Sequence, residues 1–194
     1  MINLFLRAKH WQLFLFTFGI PILYQAATMV SLVMTIIART SSNPEEVFDQ
    51  LKYFPIMMLF LVGGLFGWLW SVGVGLQKYI PDEFKLPVNK FKLILLIPSC
   101  YIIFFLGFVI WVLSPNEPDP MIFAVIVPFH LLSMACIFYS LYFVSRTYKT
   151  AILQKKLEVG DYIGEFFMIW FFFIGVWILQ PKINKMMEQH SKLE

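Results

Sequence analysis

The chain has 194 residues, of which 59% are apolar and only 14% charged, with a formal net charge of +3 and a mean hydropathy of +0.74. A water-soluble domain carries about a quarter charged residues, so this composition excludes one and indicates an integral membrane protein. The apolar runs are unbroken, where barrel strands would alternate in roughly ten-residue pieces; the fold class is therefore all-α, a polytopic helical membrane protein with one membrane domain over the whole chain.

The first predicted span covers about 12–37, behind Arg7 and Lys9. It is too long for a signal-peptide core and no small-residue cleavage site ends it, so it reads as an uncleaved span. Thr17, Tyr24, Thr28, Ser31 and Thr35 recur at helical spacing along one stripe. Such a stripe faces a bundle interior or water. It lines a solute path, or it makes interhelical bonds and bonds to its own backbone carbonyls; the second is the simpler reading.

The second span, about 54–76, has Gly63, Gly67, Ser71 and Gly75 at every fourth position, with Gly64 and Gly73 beside them. A face of small residues lets another helix come close. The partner is internal or a second subunit. Pro55 opens this helix, whereas Pro21, Pro98 and Pro128 are interior and should kink theirs.

The third and fourth spans cover about 93–113 and 121–144. Cys100 and Cys136 fall inside them and read as small buried apolar groups rather than a disulfide. His130 lies deep in the fourth span, with Ser133 and Ser140 on its face. His130, Ser133, Tyr24, Thr28 and Ser31 make up the candidate intramembrane polar site. A neutral, hydrogen-bonded structural histidine is the preferred reading, since burial disfavours the imidazolium.

After the fourth span, Arg146, Lys149, Lys155 and Lys156 form a basic face suited to anionic headgroups. Asp161 and Glu165 follow, where acids suit a helix start. Then comes an apolar run at 166–179, closed by Gln180-Pro181, and a tail at 180–194. The run is only fourteen residues, about 21 Å of helix. It either re-enters the membrane and returns or forms a fifth span. Ten Lys and Arg before it fall on one side and two, Arg39 and Lys52, on the other; Lys182, Lys185 and Lys192 make the split 13 to 2 if it returns and 10 to 5 if it crosses. The positive-inside rule favours return and puts the N-terminus in the cytoplasm.

No catalytic motif, metal-ligand spacing or intramembrane carboxylate appears, so the chain reads as non-enzymatic and without a cofactor.

The stretch from Phe129 to Asn184, ending GEFFMIWFFFIGVWILQPKIN, resembles the C-terminal part of a group of uncharacterised bacterial four-helix membrane proteins in which a WFFPIGIW…QPKIN ending recurs. Phe173 stands where that ending has proline, which favours a continuous helix. The resemblance covers about a third of the chain and implies a bacterial origin but no activity or site residue. In size and layout alone, the chain is also similar to the membrane accessory proteins that accompany some RNA-targeting CRISPR effectors. The expectation is a small inner-membrane accessory or scaffold protein, in contact with lipid and with a protein partner or itself, and with nucleic acid the less favoured partner. The alternative is an oligomeric pore or channel subunit.

Overall fold

A computed structural model describes residues 2–38, 54–113 and 121–191; the expectations for Arg39, Lys52, Lys192 and the two connections 39–53 and 114–120 lie outside the described residues. Within them are helices and short turns and no strand. The helices are α1 (Ile2–Arg7), α2 (His10–Phe14), α3 (Ile20–Ala38), α4 (Phe54–Gly75), α5 (Val88–Leu113), α6 (Met121–Leu153), α7 (Val159–Trp170) and α8 (Phe172–Ser191).

Four helical stretches among the described residues are long and apolar enough to cross a membrane: His10–Met34, Pro55–Tyr79, Val88–Trp111 and Met121–Leu153. The fourth runs well past the expected end at 144. Its last turns carry Arg146 and Lys149 as helix, not loop, while Lys155 and Lys156 follow its end at Leu153.

The first span is one α2–α3 unit interrupted by a π turn at Leu15–Gly19, where the Ile20 N–H reaches back to Leu15 O. Pro21 explains the interruption. It has no N–H to give the Thr17 carbonyl one turn earlier, and a wider turn absorbs the mismatch.

The two ends of the bundle differ. Ile2 and Leu6 lie on the Gly75 position, the Gln154 amide donates to Tyr79 O at 2.7 Å, and the Tyr79 and His190 rings are 4.7 Å apart. Residue 2 and the ends of α4, α6 and α8 therefore share one end, here the proximal end. The core sits in that half: Leu6, Trp68, Leu69, Val72, Leu76, Phe91, Val144, Val176 and Ile183 are fully buried. Among the described residues the distal half is far less covered. Only 11% of the most apolar stretch of the first span is buried inside the protein, against 39% for the second.

The C-terminal segment is a helical hairpin that enters and leaves at the proximal end. Helix α7 runs inward along α6, from Lys155 beside Asp161 (3.7 Å) to Trp170 against Phe138 (4.5 Å). The chain reverses at Phe171 (φ −88°, ψ 55°). Helix α8 then runs outward along α2 and α1, from Phe172 against Phe18 (6.1 Å), through Trp177 against His10 (4.8 Å), to His190 at Tyr79. Its deepest residues lie level with Trp68, eleven residues from Tyr79 and so about 16 Å in, roughly half of a ~30 Å hydrocarbon core.

This geometry corrects three expectations. Gln180-Pro181 does not stop a helix: Pro181 lies inside α8, which continues to Ser191. The residues after 180 are not a free tail, because Ile183 and Met186 are buried. Phe173 does not make one smooth helix, since the break comes two residues earlier.

Gly175 permits the reversal. A Cβ there would fall on the Met168 carbonyl oxygen, far inside contact distance, so the two arms meet at their root backbone against backbone. The burial pattern of α8 fits its place. Phe172, Val176, Leu179, Gln180, Ile183 and Met186 face the core at helical spacing, while Phe173, Ile174, Trp177 and Ile178 are exposed on the lipid side. That is why the segment is apolar all round.

Candidate functional site

The most concentrated polar structure in the buried half is built around Gln180. Helix α1 ends at Arg7, and Lys9 is extended (φ −76°, ψ 150°). The last carbonyls of α1 therefore have no intrahelical donor and must find one elsewhere. The Gln180 side chain reaches them across the core: Nε2 lies 3.1 Å from Phe5 O, 3.0 Å from Leu6 O and 2.9 Å from Ala8 O. Its other face accepts from Trp68 Nε1 at 2.7 Å. The amide orientation follows from its partners, because an indole only donates and a carbonyl only accepts.

Asn184, one turn on, completes the cluster. Its Oδ1 is 2.8 Å from Gln180 Nε2 and its Nδ2 donates to Ala8 O at 3.2 Å. Two amide hydrogens on Gln180 serve four acceptors, so Asn184 relieves it at Ala8. Gln180 and Trp68 are both fully buried. The cluster ties α1, α4 and α8 into one unit. It has no ionisable group, so it positions helices and moves no proton.

A second buried amide works nearby. Gln77 Nε2 lies 3.2 Å from both Gly73 O and Thr147 Oγ1, and its Oε1 accepts from the Leu86 N–H at 3.2 Å. This pins the connection between α4 and α5 to α6.

The small-residue face of α4 divides. Phe5 packs on Gly67, and Ile2 and Leu6 pack on Gly75. Ser71, buried between them, donates to Gly67 O at 2.7 Å. A Cβ at Gly63 would meet nothing within 4 Å. Gly64 receives Thr17 and Gly73 receives Phe91. Within the described residues, the short α1 with its large side chains packs on Gly67 and Gly75, and the first span and α5 pack on the glycines beside them.

The candidate intramembrane polar residues do not come together. Thr17 is fully buried against Gly64, with its hydroxyl unpartnered. Thr28 Oγ1 donates to Tyr24 O at 2.9 Å, the backbone-bonding reading of the stripe, and Ser31 is exposed. His130 is exposed on α6 while Ser133 and Ser140 are buried, so the three do not share an environment within the protein. Its partner is the Tyr101 hydroxyl on α5, 3.1 Å from Nδ1. Cys136 is buried, but Cys100 is exposed; both are free thiols.

The basic face is partly consumed inside the protein. Lys149 Nζ bonds Glu165 Oε1 at 2.6 Å, with only 25% and 13% of the two side chains exposed. Arg146 Nη1 donates to the Tyr142 hydroxyl at 3.2 Å. Lys155 pairs loosely with Asp161, which also accepts the Glu158 N–H at 3.0 Å. Lys156 is exposed. Glu165 thus clamps α7 onto α6, while Asp161 ties the start of α7 to the connection before it and suits the helix dipole. In the connection before α5, the hydrogen bond and charge of Lys85 hold the exposed Asp82 carboxyl below its usual range.

Sequence reasoning missed Trp68, Gln180, Asn184 and Tyr101. The signal for the first three was an amide pair one turn apart, Gln180 and Asn184, in a segment otherwise read as tail. No protein-family model matches the chain, and no curated protein and no solved structure matches it.

Proposed function

We propose that the chain is a non-enzymatic accessory or scaffold protein of a bacterial inner membrane, with its proximal end in the cytoplasm. It holds partner helices in the bilayer and presents a basic surface to the cytoplasm. The supporting observation is the contrast between the two halves. The proximal half is closed by buried amide clusters, while the described residues leave Ile22, Leu23, Val30, Val33 and Met34 of α3 uncovered. All twelve Lys and Arg among the described residues belong to the proximal half, which supports the cytoplasmic assignment through the positive-inside rule. Close packing of a partner on α3 needs shape fit rather than a hydrophobic drive, because lipid already solvates it.

A photo-crosslinking residue at Val33, activated in living cells, tests this reading. A discrete protein adduct, heterologous or a second copy, supports it. Lipid adducts alone, together with tracer flux through liposomes holding the purified protein, would overturn it in favour of a pore.

A further inference from the structure

Three cavities run one into the next along α1, α4 and α5. The first, about 420 Å³, lies at the proximal end and is lined by Arg7, Lys78 and His190, with Asn3, Asn184 and Glu188. The second, about 640 Å³, shares Asn3, Leu6 and Lys78 with the first and continues to Val74 and Trp70. The third, about 430 Å³, takes over at Trp70 and passes Gly67 to Gly63, walled by Phe16, Phe66 and Leu95. The lining changes along the way from charged to mainly apolar, with Ser99 still lining the third cavity. From Lys78 to Gly63 is fifteen residues of α4 and the 3₁₀ turn that follows it, about 22 Å, a reach from headgroup level toward the middle of a bilayer.

We propose that this track binds one anionic phospholipid, with the phosphate diester in the charged cavity and one acyl chain on the glycine floor. Two observations carry it independently. At the head, Arg7 and Lys78 face a cavity in which Glu188 is the one carboxylate among the lining residues. Arginine offers paired donors to phosphate oxygens, and the amides of Asn3 and Asn184 add neutral donors. Lys78 Nζ also sits 4.6 Å from the Tyr79 ring centroid, which holds it at the interface. At the tail, the small-residue face outruns α1: Gly67 is covered by Phe5, but Gly63 is open. A second copy's apolar helix on that floor would leave the charged cavity without a counter-charge. A phospholipid fills both.

Native mass spectrometry of the full chain in mild detergent, with phosphatidylglycerol and phosphatidylcholine in competition, tests the assignment. One retained phosphatidylglycerol is expected. Arg7→Gln with Lys78→Gln should weaken its retention roughly thirtyfold, at about one cation's surface attraction each. Gly63→Leu, which fills open space and changes no charge, should weaken it as well, and Lys182→Gln should not. Equal retention of phosphatidylcholine would overturn the site on the unaltered protein alone. So would full retention by Gly63→Leu, or complete competition by soluble glycerol phosphate, each of which would leave a headgroup-only anion site.

Discussion

Trp68 Nε1 lies 2.7 Å from Gln180 Oε1, a bond spanning 112 residues of sequence between two fully buried side chains. The same Gln180 amide supplies the donors that α1 lacks at its C-terminal end. Removing Gln180 therefore orphans an indole N–H and several carbonyls at once. Gln180→Leu should destabilise the protein by about 3 kcal/mol, read as a loss of thermal stability in detergent. Trp68→Phe should cost about 2 kcal/mol, and the double variant less than the sum, by about 1 kcal/mol of coupling. Strict additivity would mean that the two side chains do not act together.

Gly175 and Gly164 should respond in opposite directions. A Cβ at Gly175 meets the Met168 backbone, whereas at Gly164 it meets nothing within 4 Å. Gly175→Ala forces the hairpin root apart, and a loss of about 3 kcal/mol or more is expected. Gly164→Ala should be neutral or stabilise by up to about 1 kcal/mol, the usual helix preference for Ala. Melting curves of the two variants side by side check both.

Lys149 and Glu165 form a half-buried pair between α6 and α7. Lys149→Met leaves the Glu165 carboxylate without its counter-charge, at a cost of about 2 kcal/mol. Adding Glu165→Gln should recover most of that. If the single variant is as stable as the double, the pair does not clamp α7.

Thr17 presents a buried hydroxyl with no partner, within the π turn. Thr17→Val keeps the shape and removes the orphan group. It should raise stability by about 1 kcal/mol, measured by the same melts.

The returning hairpin fixes where α8 surfaces. A single cysteine at Lys185 should react with an impermeant maleimide from the same membrane face as one at Lys85. Labelling of the two from opposite faces would restore a fifth span.

The four spans were legible because each is an unbroken apolar run that meets the bilayer with little help from tertiary contacts. The small-residue face of α4 was legible as a packing surface, but its partner was not. Nothing in the sequence marks Phe5 and Leu6 as that partner until the chain folds back on Gly67 and Gly75. Gln180-Pro181 misled for a similar reason: proline after an apolar run usually marks an exit, and only the distant α1 carbonyls show why a glutamine must be buried there. The depth of His130 in a span was legible, but which helix face it occupies, and so its Tyr101 partner, was not. The reversal at Phe171 rests on one backbone approach at Gly175, and a lone glycine in an apolar run carries no such message.

The bonds from Gln180 to α1 join residues 172 to 175 positions apart. A ribosome adding roughly 5–20 residues per second leaves some ten to thirty seconds between the emergence of the two groups. Through that interval the carbonyls that close α1 must be held by water, by lipid headgroups or by the insertion machinery. Helix α1 is thus begun long before it can be finished, and a chain arrested before Gln180 would carry that unfinished end.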